Sequence, residues 1–471
     1  MTRLAESNLA AIAALGVEVP AYDRAALVPR ILHVGVGGFH RAHMAVYTGE
    51  AAARGGTWGI RGAGLLEADS RMAAVLREQD CLYTVVERDS DGSRPRVVGS
   101  IVDFAFVAGD EAAFARCVAD PQLSILSLTI TEAGYSLASP NATIEAIVSA
   151  LDVRRRAVGR PLTVLSCDNL PGNGDVARRA ITTVAAGRSA ELAQWLEAEC
   201  TFPNSMVDRI TPQTKDDDRA WLRDVVGIDD GWPVVCEPFR QWVLEDAFAA
   251  GRPAWEEVGV LFTDRVHDWE LYKLRLLNAS HSCMAYLSAL AGAVYVDEAM
   301  AFPLVRRYLE QFLQTEAIPT LTEIDGFPAS DYADTVLHRF ENSGVRDQIA
   351  RLCIDGTAKF PSFLIPTVEA ELARGGPVAC AALALAAWSR YLATFPAAER
   401  APDSRGERSV ELAARSLDEP LVFLELEEVF TAPVRTNARF RDAFAAASRS
   451  LAAAGPLGAI EEALDRSRAS V

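Results

Sequence analysis

The chain has 471 residues, half of them apolar and 23% charged, with a formal net charge of −18. That length suits two or three domains with sizeable cores, in a composition ordinary for a globular protein. The acidic balance argues against nucleic acid or an anionic membrane as a partner, because both need a basic face, while a local basic pocket for a small anion stays open. Eight cysteines are scattered without any Cys-x-x-Cys, which reads as reduced thiols in a cytoplasmic protein. The first twenty residues lack a basic segment followed by an apolar core, so no signal peptide is expected. No uncharged apolar run approaches the roughly 18 residues of a membrane span.

In chain order, strand patterns at Ile31–Val36, Trp58–Gly64, Val97–Phe104, Leu123–Thr129 and Leu162–Cys167 alternate with amphipathic stretches. Those stretches are His40–Arg54, Asp69–Gln79, Asp110–Val118 and Thr143–Val158. Continuous apolar strands alternating with helices predict an α/β, doubly wound, mostly parallel sheet. From about Trp269 the character changes. One long helix is predicted over Glu270–Gly292, followed by Ala/Leu-rich helices at Pro303–Glu316, Arg346–Leu352, Pro377–Leu392, Ser409–Leu417, Asn437–Ala454 and Ile460–Arg468, with a polar loop at Pro396–Arg408. The expected division is a dinucleotide-binding domain over 1–269 and a mostly helical substrate domain over 270–471.

The first strand runs into Gly35-Val-Gly37-Gly38-Phe39-His40-Arg41. Glycines there allow a tight turn and a close approach of backbone N–H groups to a pyrophosphate. The third glycine of the usual fingerprint is replaced by His40, so a plain structural turn is the competing reading. Arg41 stands where a direct phosphate contact is possible. Glu67 and Asp69 follow the second strand, where a carboxylate holds the adenosine ribose, although Asp69 also suits an N-cap. Carboxylates there repel a 2′-phosphate, which favours NAD over NADP.

Lys273 is one of three lysines against 43 arginines. Arginine stays protonated, whereas a buried lysine can lose its proton, so a lysine kept in an apolar stretch is a candidate for proton transfer. A snorkelling lysine at a helix edge is the plain alternative. Asn278 and His281 follow it. On an unbroken α-helix Lys273 and His281 lie about 12 Å apart and roughly 80° around, and Asn278 lies roughly 140° from Lys273. That spacing does not line the three up.

The remaining polar strand ends are Thr129-Ile-Thr131-Glu132-Ala-Gly134-Tyr135, Ser166-Cys-Asp168-Asn169-Leu-Pro-Gly-Asn173-Gly174 and Met206-Val-Asp208-Arg209. Together with the glycine turn, Glu237–Asp246, the Lys273/Asn278/His281 helix and Arg351-Leu-Cys-Ile-Asp355-Gly356-Thr-Ala-Lys359, the set resembles the polyol-specific long-chain dehydrogenases, the mannitol 2-dehydrogenase group. The resemblance runs from about residue 30 to 370. It implies a Rossmann-type N-terminal domain, a helical C-terminal domain, and zinc-independent, NAD(P)-linked interconversion of polyols and ketoses by a monomer, with NAD the cofactor expected here. Under it, Lys273 is the base, Asn169 and Asn278 stabilise the developing alkoxide, and His281 orients substrate. Asp208 supports that network, Glu132 lies on a proton route to solvent, and Arg351 and Lys359 belong to the substrate pocket. Gly35, Gly37, Phe39, Arg41, Glu67 and Asp69 form the cofactor-binding set. Sugar-acid oxidoreductases of the fructuronate or tagaturonate reductase type share these motifs and are the alternative. Asp168, Asn169 and Asn173 also suit simple capping of their turn. His40 and His43 read as structural and Trp242 as core.

Overall fold

The computed structural model describes residues 1–137 and 141–468, and the chain divides into two compact units, Met1–His267 and Asp268–Val471. In the first unit the strands of the three larger sheets are β1 (Val28–Val34), β2 (Trp58–Gly64), β3 (Tyr83–Asp89), β4 (Gly92–Val98), β5 (Ile101–Phe106), β6 (Ile125–Leu128), β7 (Leu162–Ser166), β8 (Cys200–Thr201), β9 (Ser205–Asp208), β10 (Val234–Cys236), β11 (Gln241–Leu244) and β12 (Leu261–Phe262), and a two-residue parallel pair joins Thr2–Arg3 to Ile228–Asp229. A six-stranded sheet runs in the order β5-β2-β1-β6-β7-β8, and each of its pairs is parallel. The order reverses between β1 and β6, which places a topological switch point at the carboxyl ends of those two strands.

Both sheet faces are covered, so the strands read as continuous apolar runs. Ile31, Ile60, Ile125 and Leu165 enter one core, while Leu32, Val34, Leu126, Leu128 and Val164 enter the other. The alternation follows from successive side chains pointing to opposite faces.

Three departures from the sequence expectation have local causes. The strand expected over Val97–Phe104 is two strands, interrupted at Gly99–Ser100. The first, β4, pairs antiparallel with β3 in a separate sheet β10-β3-β4, and the second, β5, joins the main sheet. A third sheet, β9-β11-β12, was not expected from the sequence. The helix over His40–Arg54 is also two, α1 (Gly38–Ala42) and α2 (Met44–Ala53), broken where His43 adopts φ −120° and ψ −94°.

The second unit is helical. Its predicted long helix is three pieces: α3 (Val266–Tyr272, beginning in the first unit), a π-helical segment Lys273–Asn278, and α4 (Ala279–Leu290). At the core lies α5 (Ala379–Thr394), apolar around most of its circumference. Its Trp388 packs against Phe360 and Phe423 with ring centroids 4.8 and 4.9 Å away. Helices at Ala329–Phe340, Gly356–Phe363 and Ile365–Arg374 were not expected from the sequence, and the last expected pair forms one assigned stretch, Ala438–Arg468, kinked at Gly455.

The start of α5 is capped from inside the core. Glu316 accepts the Cys380 amide at 2.6 Å and the Ala381 amide at 2.9 Å, satisfying two helix donors that have no partner within the helix. Burial pushes its carboxyl up to about 7. The folded state therefore holds a proton that the unfolded chain releases near pH 4.5, so this contribution to stability is full below about pH 4.5 and is lost as pH rises to about 7. The buried imidazoles of His33 and His43, pushed down to about 3, act oppositely and lose their contribution as pH falls from about 6.5 to about 3. Subtracting the unfolding free energy of Glu316→Gln from that of the wild type cancels the histidines. The difference is expected to decline from about pH 4.5 to pH 7 and then level off, whereas parallel curves would contradict it.

Candidate active site

At the end of β1 the backbone turns at Gly35, φ +89°, directly against β6. A Cβ there would lie 2.1 Å from the Thr129 carbonyl oxygen, so no side chain fits. Thr129 Oγ1 donates to the Gly35 carbonyl at 2.6 Å and closes the crevice between β1 and β6 from beneath. Gly37 differs. It is exposed, and a Cβ there would meet nothing nearer than the Gly35 oxygen at 3.8 Å. The fold therefore leaves room for a side chain at 37 and does not itself require glycine there.

Beneath the turn the missing third glycine is explained. His40 stacks on His33 of β1 with centroids 3.5 Å apart, and a pair of imidazoles fills the helix–strand contact. Phe39 stacks on His43 at 4.8 Å. Arg41 requires a correction. It is 1% exposed, with Nε donating to the Gly37 carbonyl at 3.3 Å and one terminal nitrogen donating to the Trp232 carbonyl at 2.5 Å. Burial of its guanidinium beneath the turn leaves it to brace the glycine backbone instead of reaching a phosphate. After β2, Asp69 accepts the Leu66 amide at 3.0 Å and shapes its own turn, while Glu67 is exposed.

The ends of β6, β7 and β9 are joined by buried polar groups. Asp168, 7% exposed, accepts the Thr131 amide at 2.8 Å, the Ile130 amide at 3.0 Å and the Tyr135 hydroxyl at 2.6 Å. Those bonds fix the loop that carries Glu132, in which Thr131 sits at φ +64°. Burial nevertheless raises the Asp168 carboxyl above its ordinary value. Asn169, the next residue, is exposed at the carboxyl end of β7. Asp208 ends β9 and is 4% exposed.

In the second unit Lys273 is 8% exposed and opens the π segment. The Ala279 amide reaches back five residues to the Leu274 carbonyl, and such a turn rotates roughly 82° per residue instead of 100°. Five such steps and three α steps bring His281 to within roughly 10° of the Lys273 direction, with Asn278 roughly 50° away. The misalignment of a regular helix disappears. Asn278 Nδ2 and His281 Nε2 are both buried without a hydrogen-bond partner, a costly state that a polar ligand relieves. The His281 ring stacks on Phe340 at 4.4 Å. Burial pushes its imidazole down to about 3, so it is neutral at ordinary pH.

Arg351 is held by Asp347, whose carboxylate takes Nε at 2.6 Å and a terminal nitrogen besides. Lys359 Nζ donates to the Leu352 and Arg351 carbonyls at 3.1 and 3.3 Å, and burial, then the charge of Arg351, pushes the amine down to about 8.

Residues 29–257 match the mannitol dehydrogenase Rossmann domain, and residues 265–452 match the mannitol dehydrogenase C-terminal domain. The chain belongs to the mannitol dehydrogenase family. Mannitol 2-dehydrogenase of Phaeosphaeria nodorum is 40% identical over 450 residues, covering 90% of this chain and 79% of the relative. The enzyme of that name from Cereibacter sphaeroides is 44% identical over 394 residues, 79% of this chain and 82% of its own. Among solved structures, the Pseudomonas fluorescens mannitol 2-dehydrogenase ternary complex with NAD and D-mannitol superposes with a TM-score of 0.88 at 39% identity, covering 98% of this chain and all of that one. A D-sorbitol dehydrogenase in substrate-free form gives 0.86 at 34% identity over 94% of this chain and 97% of its own.

Within this mannitol dehydrogenase family member, several polar residues escaped the sequence reading. Asp168 and Asn173 were set aside as turn caps, a role that polar residues after any strand can fill. Asp347 had no motif around it. Glu270 is 5% exposed and three residues before Lys273, and that helical spacing was a usable signal. The glycine turn yields a stability test. Gly35→Ala is expected to cost about 2–5 kcal/mol from positive φ and overpacking, whereas Gly37→Ala stays within about 0.5 kcal/mol of wild type in urea unfolding. Equal costs would contradict the assignment of one glycine to the fold and the other to a ligand.

Proposed function

We propose that this protein is an NAD-dependent dehydrogenase that oxidises a secondary alcohol of a sugar alcohol such as mannitol, arabitol or sorbitol to the ketose, and runs the reverse reduction. The observation that carries the reading is the pair of buried, unpartnered nitrogens on Asn278 and His281, turned toward the Lys273 face by the π segment. Vicinal hydroxyls supply what both need. The complex of the Pseudomonas fluorescens relative with NAD and D-mannitol supports the same substrate class and cofactor.

In this reading the Lys273 amine takes the proton from the reacting hydroxyl as general base. Asn278 donates its amide hydrogen to the oxygen as negative charge develops there, the preorganised stabilisation that an oxyanion needs. His281 hydrogen-bonds a neighbouring hydroxyl without introducing charge. NAD, held by the turn at Gly35 and Gly37, would supply the hydride acceptor. In the first unit, Asn169 keeps the proposed role of an alkoxide-stabilising amide and Asp208 that of a supporting carboxylate. Glu132 keeps the proposed role on the proton route. Gly35 and Gly37 shape the dinucleotide turn, and Phe39 packs beside it. Glu67, exposed after β2, suits the ribose and disfavours a 2′-phosphate.

The pocket residues favour a neutral substrate over a sugar acid. A carboxylate is best held by an unengaged guanidinium fork, and the fork of Arg351 is engaged by Asp347. Lys359 is directed to backbone carbonyls.

NADH formation with mannitol, D-arabinitol and D-sorbitol, compared with D-mannonate and D-altronate, tests the substrate class. Turnover of polyols is expected, and turnover of the acids alone would refute the proposal. Lys273→Ala should lower kcat at least about 100-fold with NADH affinity retained, and near wild-type turnover across pH would remove Lys273 from the mechanism. Gly37→Ala should weaken NADH binding about tenfold or more by blocking close approach of the pyrophosphate, and unchanged affinity would remove the turn from the cofactor site.

A further inference from the structure

Asn173 is fully buried at the start of the helix Asn173–Arg188. Its Nδ2 donates to the Asp168 carbonyl at 3.0 Å, the Ser205 carbonyl at 2.8 Å and Ser205 Oγ at 3.0 Å. Its Oδ1 accepts the Ser205 amide at 2.9 Å. Ser205 Oγ in turn donates to the Ser166 carbonyl at 2.7 Å. The two segments tied in this way are the end of β7, leading to Asn169, and the start of β9, leading to Asp208. Those strands lie in different sheets and share no ladder. The backbone ladder from β7 stops at the two-residue pairing of Leu162–Thr163 with Cys200–Thr201, and side-chain bonds through Asn173 and Ser205 carry the link on to the strand ends.

The surrounding backbone is built for this contact. Gly172 turns at φ +58°. A Cβ on Gly174 would lie 2.5 Å from the carbonyl oxygens of both Phe202 and Pro203, so the helix start is pressed against the segment entering β9. An amide is the side chain that suits the position, because it presents N–H to three acceptors and an oxygen to one amide donor. A carboxylate would face the same three acceptors without a hydrogen.

We propose that Asn173 is a positioning residue for the dehydrogenase reaction, fixing Asn169 and Asp208 relative to each other. The proposal rests on the polyol dehydrogenase reading. The glycine turn ends β1, two strands away from β7 in the sheet order β1-β6-β7, so cofactor binding and positioning are separable.

The test uses Asn173→Ala, Asn173→Ser and Asn173→Asp in the full-length protein, on whichever substrate the wild type turns over. Wild-type turnover of polyols examines the parent reading, and the ratio of variant to wild type examines this one. The expected result is a kcat lowered about 10- to 100-fold, as for an ångström-scale misplacement. The NADH Kd from fluorescence titration should stay within about twofold, because only interactions made in the transition state are lost. The primary deuterium isotope effect on kcat should rise as hydride transfer becomes limiting. A kcat within about twofold of wild type, or kcat and NADH affinity declining in parallel, would overturn the proposal. If the Asn173 variants do not fold, Ser205→Ala decides. Reduced kcat with unchanged NADH affinity supports positioning, and full activity makes the contact a folding element alone.

Discussion

The chemistry proposed for the helical unit depends on the π segment Lys273–Asn278, closed by the bond from the Ala279 amide to the Leu274 carbonyl five residues earlier. A regular helix would send Lys273 and Asn278 to nearly opposite sides. The wider turn gathers Lys273, Asn278 and His281 on one face, over an axial span of about 10 Å. A π turn is uncommon because its hydrogen bonding is less favourable than that of an α turn. Here packing sustains it, with Leu276 and Leu277 buried within the segment and Ala279 immediately after it.

The first unit meets a different constraint. Its parallel sheet delivers several loops to one edge, and loops do not position themselves. Rigid local chemistry does that work: Thr129 against Gly35, Asp168 across three donors, and Asn173 between two sheets. Much of the polar inventory near the strand ends is thus buried and committed to backbone groups, Arg41 included. Asn169, Glu67 and Glu132 are among the exposed polar residues after the strands.

The alternation of apolar strands with helices was legible in the sequence because parallel strands covered on both faces carry long apolar runs. Trp58–Gly64 was read to the residue. The hairpin of β3 and β4 was not. Its residues Arg88, Asp89, Arg94 and Arg96 interrupt the apolar pattern, and Arg96 pairs with Glu87 and Glu50 in a partly buried charge cluster that composition does not reveal. The scarcity of lysine pointed to Lys273, and the glycines to the turn. Which glycine the fold requires depends on the position of Thr129, 94 residues away in sequence. The direction of Arg41 likewise depends on Trp232. The π turn left no recognisable mark, since one extra residue in a helix changes periodicity by less than the scatter of an apolar pattern.

The most direct test of the π-turn alignment is a crystal structure of this protein with NADH and the polyol it turns over. The alignment predicts Lys273 Nζ and Asn278 Nδ2 on the same substrate oxygen and His281 Nε2 on a neighbouring hydroxyl, each at about 3 Å. A substrate that leaves Asn278 Nδ2 and His281 Nε2 unpartnered, with Lys273 directed elsewhere, would contradict it.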